Sequence, residues 1–413
     1  MSTLFRSPTT ARVGLFIAIA AGAVLRLLWH EDIEYKADQV WTFLRVQEFW
    51  ATGQIPMIGM TSSVGPPNPP MSQWVFIALS AFVPVDEPLA LTRAVEWVNI
   101  LAILALLAFV WKCVASTERE SWLWSVALVA VNPFAIHFSR CIWQMNLFPL
   151  PIVGFLLGWW YRSRWWGAFL WGSIGALLGQ IHMPAYFFAA AFFLCTVVFD
   201  RRSVRWMGWA AGSVLGALPM IPWLMAIAEI QPHVSSYGIE NVTPAFLQHW
   251  LNMATGVGLR YSLGNDFADF VGPWSSYAVA ILMAVIVAIV ATIGVTFVRR
   301  LLARRQDVAP LFSVKSPTVL ILASAMLGYG LLMIVTLRPV YLHYFVIAFS
   351  LPALSVAWAA QACAPVMRRA GLAGLVVAQA GLSFAFLAYI HDREIIDGDY
   401  GTVYHALPAE AKR

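Results

Sequence analysis

Apolar stretches of about 17 or more residues recur along this whole sequence, and each is long enough for one helix to cross roughly 30 Å of hydrocarbon. Only 11% of the residues are charged, whereas soluble domains carry about 25%, so the chain cannot give a large core a water-facing surface. A transmembrane β-barrel is excluded as well, because its strands would read as short alternating segments. The sequence therefore predicts an all-α fold, a polytopic bundle of transmembrane helices.

About eleven stretches qualify as spans. They are 13–29, 89–111, 121–138, 146–161, 166–182, 184–199, 206–228, 276–298, 317–336, 341–361 and 371–390. The first follows Arg6 and Arg12 and so resembles a signal peptide, but it is long and lacks a small-residue cleavage site, which favours a retained span. A further apolar segment, 70–84, is short and bracketed by prolines.

The distribution of basic residues decides how segment 70–84 is placed. If it does not cross the membrane, sixteen of the 26 Lys and Arg residues share one side with only four acidic residues, as is typical of cytoplasmic loops. If it crossed, the later loops would exchange sides and the bias would collapse. We therefore predict an interfacial or re-entrant helix at 70–84, a cytoplasmic N-terminus and an external tail at 391–413.

We predict one domain over 1–413 in the cytoplasmic (inner) membrane, with external juxtamembrane helices in two long loops, 30–72 and 229–275. Because the cytoplasmic loops are short, we expect any chemistry on the periplasmic or extracellular face. The net charge of +5 follows this sidedness, so no nucleic-acid partner is expected. The four cysteines lie in or beside apolar stretches and are interpreted as small buried hydrophobic residues.

The first external loop carries the main candidate for catalysis. Asp38 and Gln39 stand at the start of a predicted amphipathic helix that ends near Gly53. One interpretation of Asp38 is a helix N-cap, and the other is a carboxylate at the water–lipid boundary that takes a proton from an incoming hydroxyl. The two interpretations are compatible, because the same position holds a side chain that faces a site.

Polar side chains also cluster at the ends of later spans. Arg140, Gln144 and Asn146 supply donors for phosphate or sugar hydroxyls, although a lone arginine at a helix end is often a snorkelling anchor. Gln180 and His182 lie in the turn between two spans on the same predicted face. The alternative for His182 is a buried, hydrogen-bonded imidazole.

A tight turn between the last external spans contains Arg338, Tyr341, His343 and Tyr344. Arg338 lies on the side that the positive-inside rule disfavours, so we predict an anion clamp there. The two tyrosines would either bind substrate or only belong to an aromatic belt. The acidic and histidine residues of loop 229–275 show no metal-binding spacing, which leaves a divalent metal open and unassigned.

In their order, these motifs resemble those of the C-type integral-membrane glycosyltransferases, the superfamily of protein mannosyltransferases and aminoarabinose transferases. Asp38-Gln39 is similar to the family's juxtamembrane acidic pair, Pro69-Pro70 to its proline-containing helix entry, and Ser139-Arg140 to its Ser-Arg step. Arg338 with His343-Tyr344 is similar to its late external Arg and His-Tyr. The resemblance covers roughly the first 230 residues and this late turn.

The sequence departs from the family pattern at several positions. Gln39 stands where the family has a second acid, and Gln144 with Asn146 occupies a region where many members carry another acid. His182 falls where many relatives have lysine. These departures leave metal dependence and the acceptor chemistry open.

The resemblance implies an inverting hexosyl- or pentosyltransferase. It would move a sugar from a polyprenyl-phosphate donor, held among membrane lipids, to a hydroxyl of a glycan, lipid or protein acceptor. Asp38 would be the catalytic base, and Arg338, Arg140 and His343 would bind the donor phosphate. The residues expected to contact substrate are Gln39, Gln144, Asn146, Gln180, His182, Tyr341 and Tyr344. No cofactor is firmly implied.

Two other classes remain as alternatives. A polytopic transporter would place ionisable groups near the bilayer midplane and break its helices there, and the predicted spans hold few such groups. A polysaccharide ligase or polymerase would be expected to place its main catalytic loop late in the chain, whereas the acidic loop here comes first.

Overall fold

The computed structural model describes residues 8–62, 65–228, 238–303 and 316–412. The helices are α1 Pro8–Leu27, α2 Ala37–Thr52, α3 Met71–Ser80, α4 Pro88–Cys113, α5 Ser116–Val131, α6 Pro133–His137, α7 Pro149–Trp160, α8 Trp165–Ile181, α9 Pro184–Phe199, α10 Trp206–Ala217, α11 Ile221–Ile227, α12 Ala245–Thr255, α13 Arg260–Leu263, α14 Phe267–Val271, α15 Ala278–Leu302, α16 Pro317–Leu322, α17 Tyr329–Val335, α18 Leu351–Ala359 and α19 Pro365–His391. Two short antiparallel strands, β1 Ile395–Ile396 and β2 Gly401–Thr402, form a hairpin in the tail.

The length and composition of the helices are those of a multi-pass membrane protein. Five segments of the described chain are long and apolar enough to cross a bilayer: Pro88–Cys113, Trp206–Ile227, Ala278–Leu302, Pro317–Val335 and Pro365–His391. A bent pair, Leu342–Ala348 and Leu351–Ala362, passes the same test as one broken span with an angle of 75°. The expected all-α, membrane-embedded fold is confirmed at this level, which accounts for five to six of the predicted spans.

Two predicted spans are interrupted inside an apolar run. Within 121–138, α5 ends and α6 begins at Asn132, whose side chain accepts hydrogen bonds from the backbone of Phe134 and Ala135. This is N-cap geometry, and Pro133 occupies the first position of the new helix. Within 341–361, the chain bends at Phe349, whose φ is 45°. Apolar composition alone does not reveal such breaks.

The short segment 70–84 contains α3, a helix of only 10 residues. Such a helix rises about 15 Å, roughly half of the hydrocarbon thickness, and its interfacial placement stays a prediction from the loop charges. The predicted amphipathic helix is α2, which ends at Gly53 in the left-handed conformation with a φ of 72°. A glycine takes that conformation without steric cost.

Small residues set how closely α8 and α10 pack. Gly208, Gly212 and Gly216 recur every fourth residue along α10 and therefore share one face. A Cβ atom at any of them would collide with a backbone carbonyl of α8. The glycine stripe lets the two backbones touch, which is how helices associate where lipid removes the hydrophobic drive between them.

The loops form two groups, and the loops within each group contact one another. At one end, Arg368 and Arg369 bind Glu120, and Arg162 binds Asp200. At the other end, the tail contacts the residues after α1 and the 262–266 segment. These groups are the predicted cytoplasmic and external loops. Four of the basic residues counted for sidedness, Arg6, Arg304, Arg305 and Lys315, lie outside the described residues.

Candidate functional site

The tail folds back onto the segment that follows α1. The backbone N–H groups of Tyr404 and His405 donate to the carbonyls of Ile33 and Glu31, at 3.2 and 3.1 Å. Asp32, which is buried, receives Nδ1 of His391 on one carboxylate oxygen and Nδ1 of His405 on the other, each at 2.8 Å. The tail is thereby fixed beside the start of α2.

Asp38 lies in the first turn of α2 and is not its N-cap. The N-cap is Lys36, whose backbone N–H donates to the side-chain oxygen of Gln39 at 3.2 Å. The carboxylate of Asp38 is therefore available for other partners, while the N-terminal end of the helix dipole still favours its negative charge. The amide of Gln39 is buried and also donates to Glu34 at 3.4 Å.

An indole connects Asp38 to the late external turn. Nε1 of Trp143 donates to Oδ2 of Asp38 at 3.1 Å, and the indole ring lies edge-on to His343 with the ring centroids 4.9 Å apart. Nδ1 of His343 lies 3.3 Å from the hydroxyl of Tyr261. These four residues and Tyr344 are called the Asp38 cluster below.

More aromatic rings surround His343. Tyr341 stacks against it with centroids 5.5 Å apart and ring planes 5° apart, and Tyr344 packs edge-on at 4.6 Å. The ring centroid of His182 lies 5.5 Å from that of Tyr344 and 6.5 Å from that of His343. The structure thus brings together five residues predicted from separate parts of the sequence: Asp38, His182, Tyr341, His343 and Tyr344.

Arg338 lies against the first external loop. A Cβ atom at Gly65 would come within 3.1 Å of its Nη1, so the guanidinium rests on the glycine backbone. Its charge also acts on Tyr344 of the Asp38 cluster. Beside it, the carbonyl of Pro67 accepts a bond of 3.1 Å from Trp223, which helps to hold the loop. A side chain at position 65 would require the guanidinium to shift by a few tenths of an ångström.

Burial controls the protonation of the Asp38 cluster. It raises the pKa of Asp38, and the hydrogen bond from Trp143 and the charge of Lys36 partly oppose that rise. Burial also raises the pKa of Tyr261, and the nearby negative charges of Asp399 and Glu34 add to this shift. At neutral pH the phenol keeps its proton, and the carboxylate has a higher proton affinity than an exposed aspartate.

Glu34 is a second carboxyl group near α2, and sequence reasoning gave it no role. It is buried, and it lies 3.0 Å from Nζ of Lys36 and 3.7 Å from Nε2 of His137. Burial raises its pKa to about 7, although Lys36 opposes the shift. The sequence signal that could have indicated Glu34 is its place in the acid-rich segment directly after the first span.

Arg140 is committed to a different set of partners from those predicted. Its guanidinium is buried and donates to four carbonyls at the end of α1, those of Leu25, Arg26, Leu28 and Trp29. Helix C-termini leave such carbonyls without intrahelical partners. Arg140 therefore serves in this structure as a C-terminal cap that fixes the chain leading to Asp38.

Three of the four amides predicted to bind substrate, Gln144, Asn146 and Gln180, are buried away from the start of α2. Gln180 donates to the carbonyls of Ala176 and Gly216 and so ties α8 to α10. Asn146 donates to the carbonyl of Cys141 at 2.5 Å, and Gln144 is enclosed beside it. None of the three makes a described hydrogen bond to the Asp38 cluster.

Two ionisable residues inside predicted spans were also missed. Arg26 is buried in α1 and donates to the carbonyl of Ala130 at 2.6 Å, while Glu96 is buried in α4 and binds Arg93 at 2.7 Å. The sequence signal for both is a charged residue inside an apolar span, since such a charge is costly and usually has a definite partner. Among the described residues, no group of three or more His, Cys, Asp or Glu side chains is arranged to hold a metal ion.

Comparisons of the chain with protein-family models, with curated proteins and with solved structures give no match. The Asp38 cluster offers one carboxylate with a raised pKa, neutral aromatic rings around it and an arginine at the adjoining loop.

Proposed function

We propose that this protein is an inverting glycosyltransferase that moves a sugar from a polyprenyl-phosphate donor to an acceptor hydroxyl at the external face of the cytoplasmic membrane. The observation that carries the proposal is the contact of Asp38, through Trp143, with the aromatic turn around His343. Parts of the sequence more than 300 residues apart thus supply a carboxylate and stacking surfaces to one place.

The carboxylate suits the role of general base. Oδ2 of Asp38 is held by the indole, and the side chain is only partly exposed. As the acceptor oxygen bonds to the anomeric carbon, its proton passes to Asp38. The bond from that carbon to the phosphate oxygen breaks, and the lipid phosphate leaves with the electron pair. Attack from the opposite face inverts the anomeric centre.

Arg338 is proposed to stabilise the departing phosphate. Cations help most where negative charge develops in the transition state, and the leaving phosphate is that place. The guanidinium already lies against the first external loop at Gly65. His343, Tyr341 and Tyr344 would line the sugar, whereas Arg140 would act indirectly by holding the end of α1.

A lipid-linked donor also fits the architecture. Such a donor is confined to the bilayer, so no separate nucleotide-binding domain is required. We propose that all eleven predicted spans cross, several of them as short or broken helices, and that the N-terminus faces the cytoplasm. Support comes from the two groups of contacting loops, one of which contains the Asp38 cluster and the tail.

Glu34 can supply the acidic group that the family pattern has at the position of Gln39. Its carboxyl lies 3.4 Å from the amide nitrogen of Gln39, and burial raises its pKa to about 7.

The proposal is tested by transfer assays with the purified full-length chain in detergent. Polyprenyl-phosphate sugars are supplied with hydroxyl acceptors, and the new glycosidic bond is measured. Asp38→Asn keeps the shape but removes the base, so the rate should fall by about 10²–10⁴-fold. Asp86→Asn, an exposed carboxylate in the loop between α3 and α4, is the matched control and should retain the parent rate. Full activity of a folded Asp38→Asn variant would contradict the assignment.

A further inference from the structure

Trp143 occupies a position that the proposed reaction does not by itself explain. It belongs to the irregular segment between α6 and α7, yet its indole reaches α2 and the turn that contains His343. It is the described side chain that donates a hydrogen bond to the Asp38 carboxylate. Its ring also lies against Phe138, with centroids 6.1 Å apart.

We infer that Trp143 is the positioning residue of Asp38: its N–H holds Oδ2 so that Oδ1 receives the proton of the acceptor hydroxyl. This inference rests on the proposed function and assigns a role within the same site.

The chemistry of the indole suits that task. Indole Nε1–H donates and cannot accept, so it can neither compete for the proton nor take it away. It is also neutral. A lysine or arginine in its place would stabilise the carboxylate strongly and lower its proton affinity, which would weaken the base. A neutral donor fixes the orientation while leaving most of that affinity in place.

The orientation of the indole is itself fixed. His343 packs edge-on against it at 4.9 Å, and the hydroxyl of Tyr261 contacts Nδ1 of His343 at 3.3 Å. A chain of contacts thus runs from the 258–276 segment to the carboxylate. Because the ring cannot turn freely, the direction of the N–H, and with it the plane of the carboxylate, is set before any substrate arrives.

The test removes the N–H and retains an aromatic ring. In Trp143→Phe, kcat should fall by about 10- to 100-fold, the range expected for one hydrogen bond to a charged group, with KM nearly unchanged. Because the lost bond favoured the ionised carboxylate, the acidic limb of the pH–rate profile should move to higher pH. A purely structural role would lower activity without moving that limb.

The chain offers a closely matched control. Trp274 donates to Oδ2 of Asp392 at 3.1 Å, the same kind of bond at the same length, in a more exposed place. Trp274→Phe should leave both kcat and the acidic limb unchanged. An acidic limb that stays in place in Trp143→Phe, or that moves equally in both variants, would overturn the inference.

Two further measurements cover the remaining outcomes. If Trp143→Phe does not fold, 3-benzothienylalanine at position 143 replaces the N–H by sulfur and keeps the bicyclic shape. If no transfer is found even in the parent chain, 5-fluorotryptophan labelling gives a readout independent of activity. The fluorine resonance of residue 143 is identified by its disappearance in Trp143→Phe. Its chemical shift should change with pH in the parent chain, and this change should be absent in Asp38→Asn. A resonance that does not respond to Asp38→Asn refutes the positioning role, whereas a response without transfer refutes only the proposed function.

Discussion

Two carboxyl groups four residues apart, Glu34 and Asp38, are treated differently by their surroundings. Glu34 is enclosed and faces a lysine, an amide and an imidazole, whereas Asp38 is partly exposed and receives one indole N–H. Burial raises the pKa of both, and that of Glu34 reaches about 7. Glu34 therefore exchanges its proton near neutral pH, and Asp38 binds a proton more tightly than an exposed aspartate does.

The raised pKa of Glu34 predicts a specific dependence of stability on pH. A group that binds its proton more tightly in the folded protein contributes fully below its unfolded pKa, near 4.5, and the contribution is lost as pH rises through 7. Glu34→Gln cannot ionise. We therefore expect its free energy of unfolding to exceed that of the parent by roughly 1–3 kcal/mol at pH 8 and to be nearly equal at pH 4.5.

The free energies of unfolding of the parent and of Glu34→Gln are measured on the purified proteins in detergent at the two pH values. Glu48→Gln is the control, because Glu48 lies on α2 in an exposed pair with Arg45 and should change stability little at either pH. Equal stability of the parent and Glu34→Gln at pH 8 would mean that ionisation of Glu34 does not destabilise the folded protein.

Single residues were predictable where their chemistry is unusual for their position. Asp38 stands out because it begins the predicted amphipathic helix, and Arg338 because it lies on the side that the positive-inside rule disfavours. Trp143 and Tyr261 do not stand out, because Trp and Tyr are abundant at membrane interfaces whatever their role. Only the fold shows which indole meets the carboxylate, since that contact joins residues 105 positions apart.

At the scale of elements, the C-terminal tail is the least expected feature. It forms the β1–β2 hairpin and then pairs with the segment after α1, where Asp32 receives both His391 and His405. A carboxylate only accepts hydrogen bonds, so each imidazole nitrogen that contacts it carries the hydrogen. Asp32 thereby fastens the tail at two points, His391 and His405, beside the start of α2.

Removing that charge should release the tail. In Asp32→Asn, two charge-assisted hydrogen bonds weaken, and each is worth about 1.5–3 kcal/mol. We expect the backbone amides of Tyr404 and His405 to exchange at least about 10-fold faster, which hydrogen–deuterium exchange detects. Asp392→Asn, in the same segment but with one exposed partner, should have a much smaller effect. Unchanged exchange in Asp32→Asn would show that the backbone pairing alone holds the tail.

Element boundaries were predictable where local signals are strong. The start of α9 at Pro184 and the end of α2 at Gly53 coincide with the proline and glycine in the sequence. The break at Asn132 has an equally clear signal, an Asn-Pro step, but it lies inside an apolar run that reads as continuous. The bend at Phe349 has no such signal, because its positive φ is imposed by the packing around it.

For the whole molecule, the sequence determines class more firmly than topology. Long apolar runs predict membrane helices without reference to tertiary structure, and five segments with one bent pair bear this out. The shorter helices α3, α7 and α9 cannot be assigned as crossings by length, because packing against neighbours decides how a short helix sits in a bilayer. Eleven crossings remain a prediction from the apolar runs, and the exclusion of segment 70–84 remains one from the loop charges.

The most direct measurement is sided transfer in sealed proteoliposomes, with the lipid-linked donor in the bilayer and the acceptor on one side only. The orientation is read from Ala51→Cys, an exposed position on α2, with a membrane-impermeant maleimide. The parent chain is the blank, since Cys141 and Cys363 are buried but Cys113 and Cys195 are only half-buried. We expect a glycosidic product only when the acceptor is on the face where Ala51→Cys is labelled, and no product with Asp38→Asn. Product formed from the opposite face, or a labelled solute accumulating without a new glycosidic bond, would contradict the proposed enzyme.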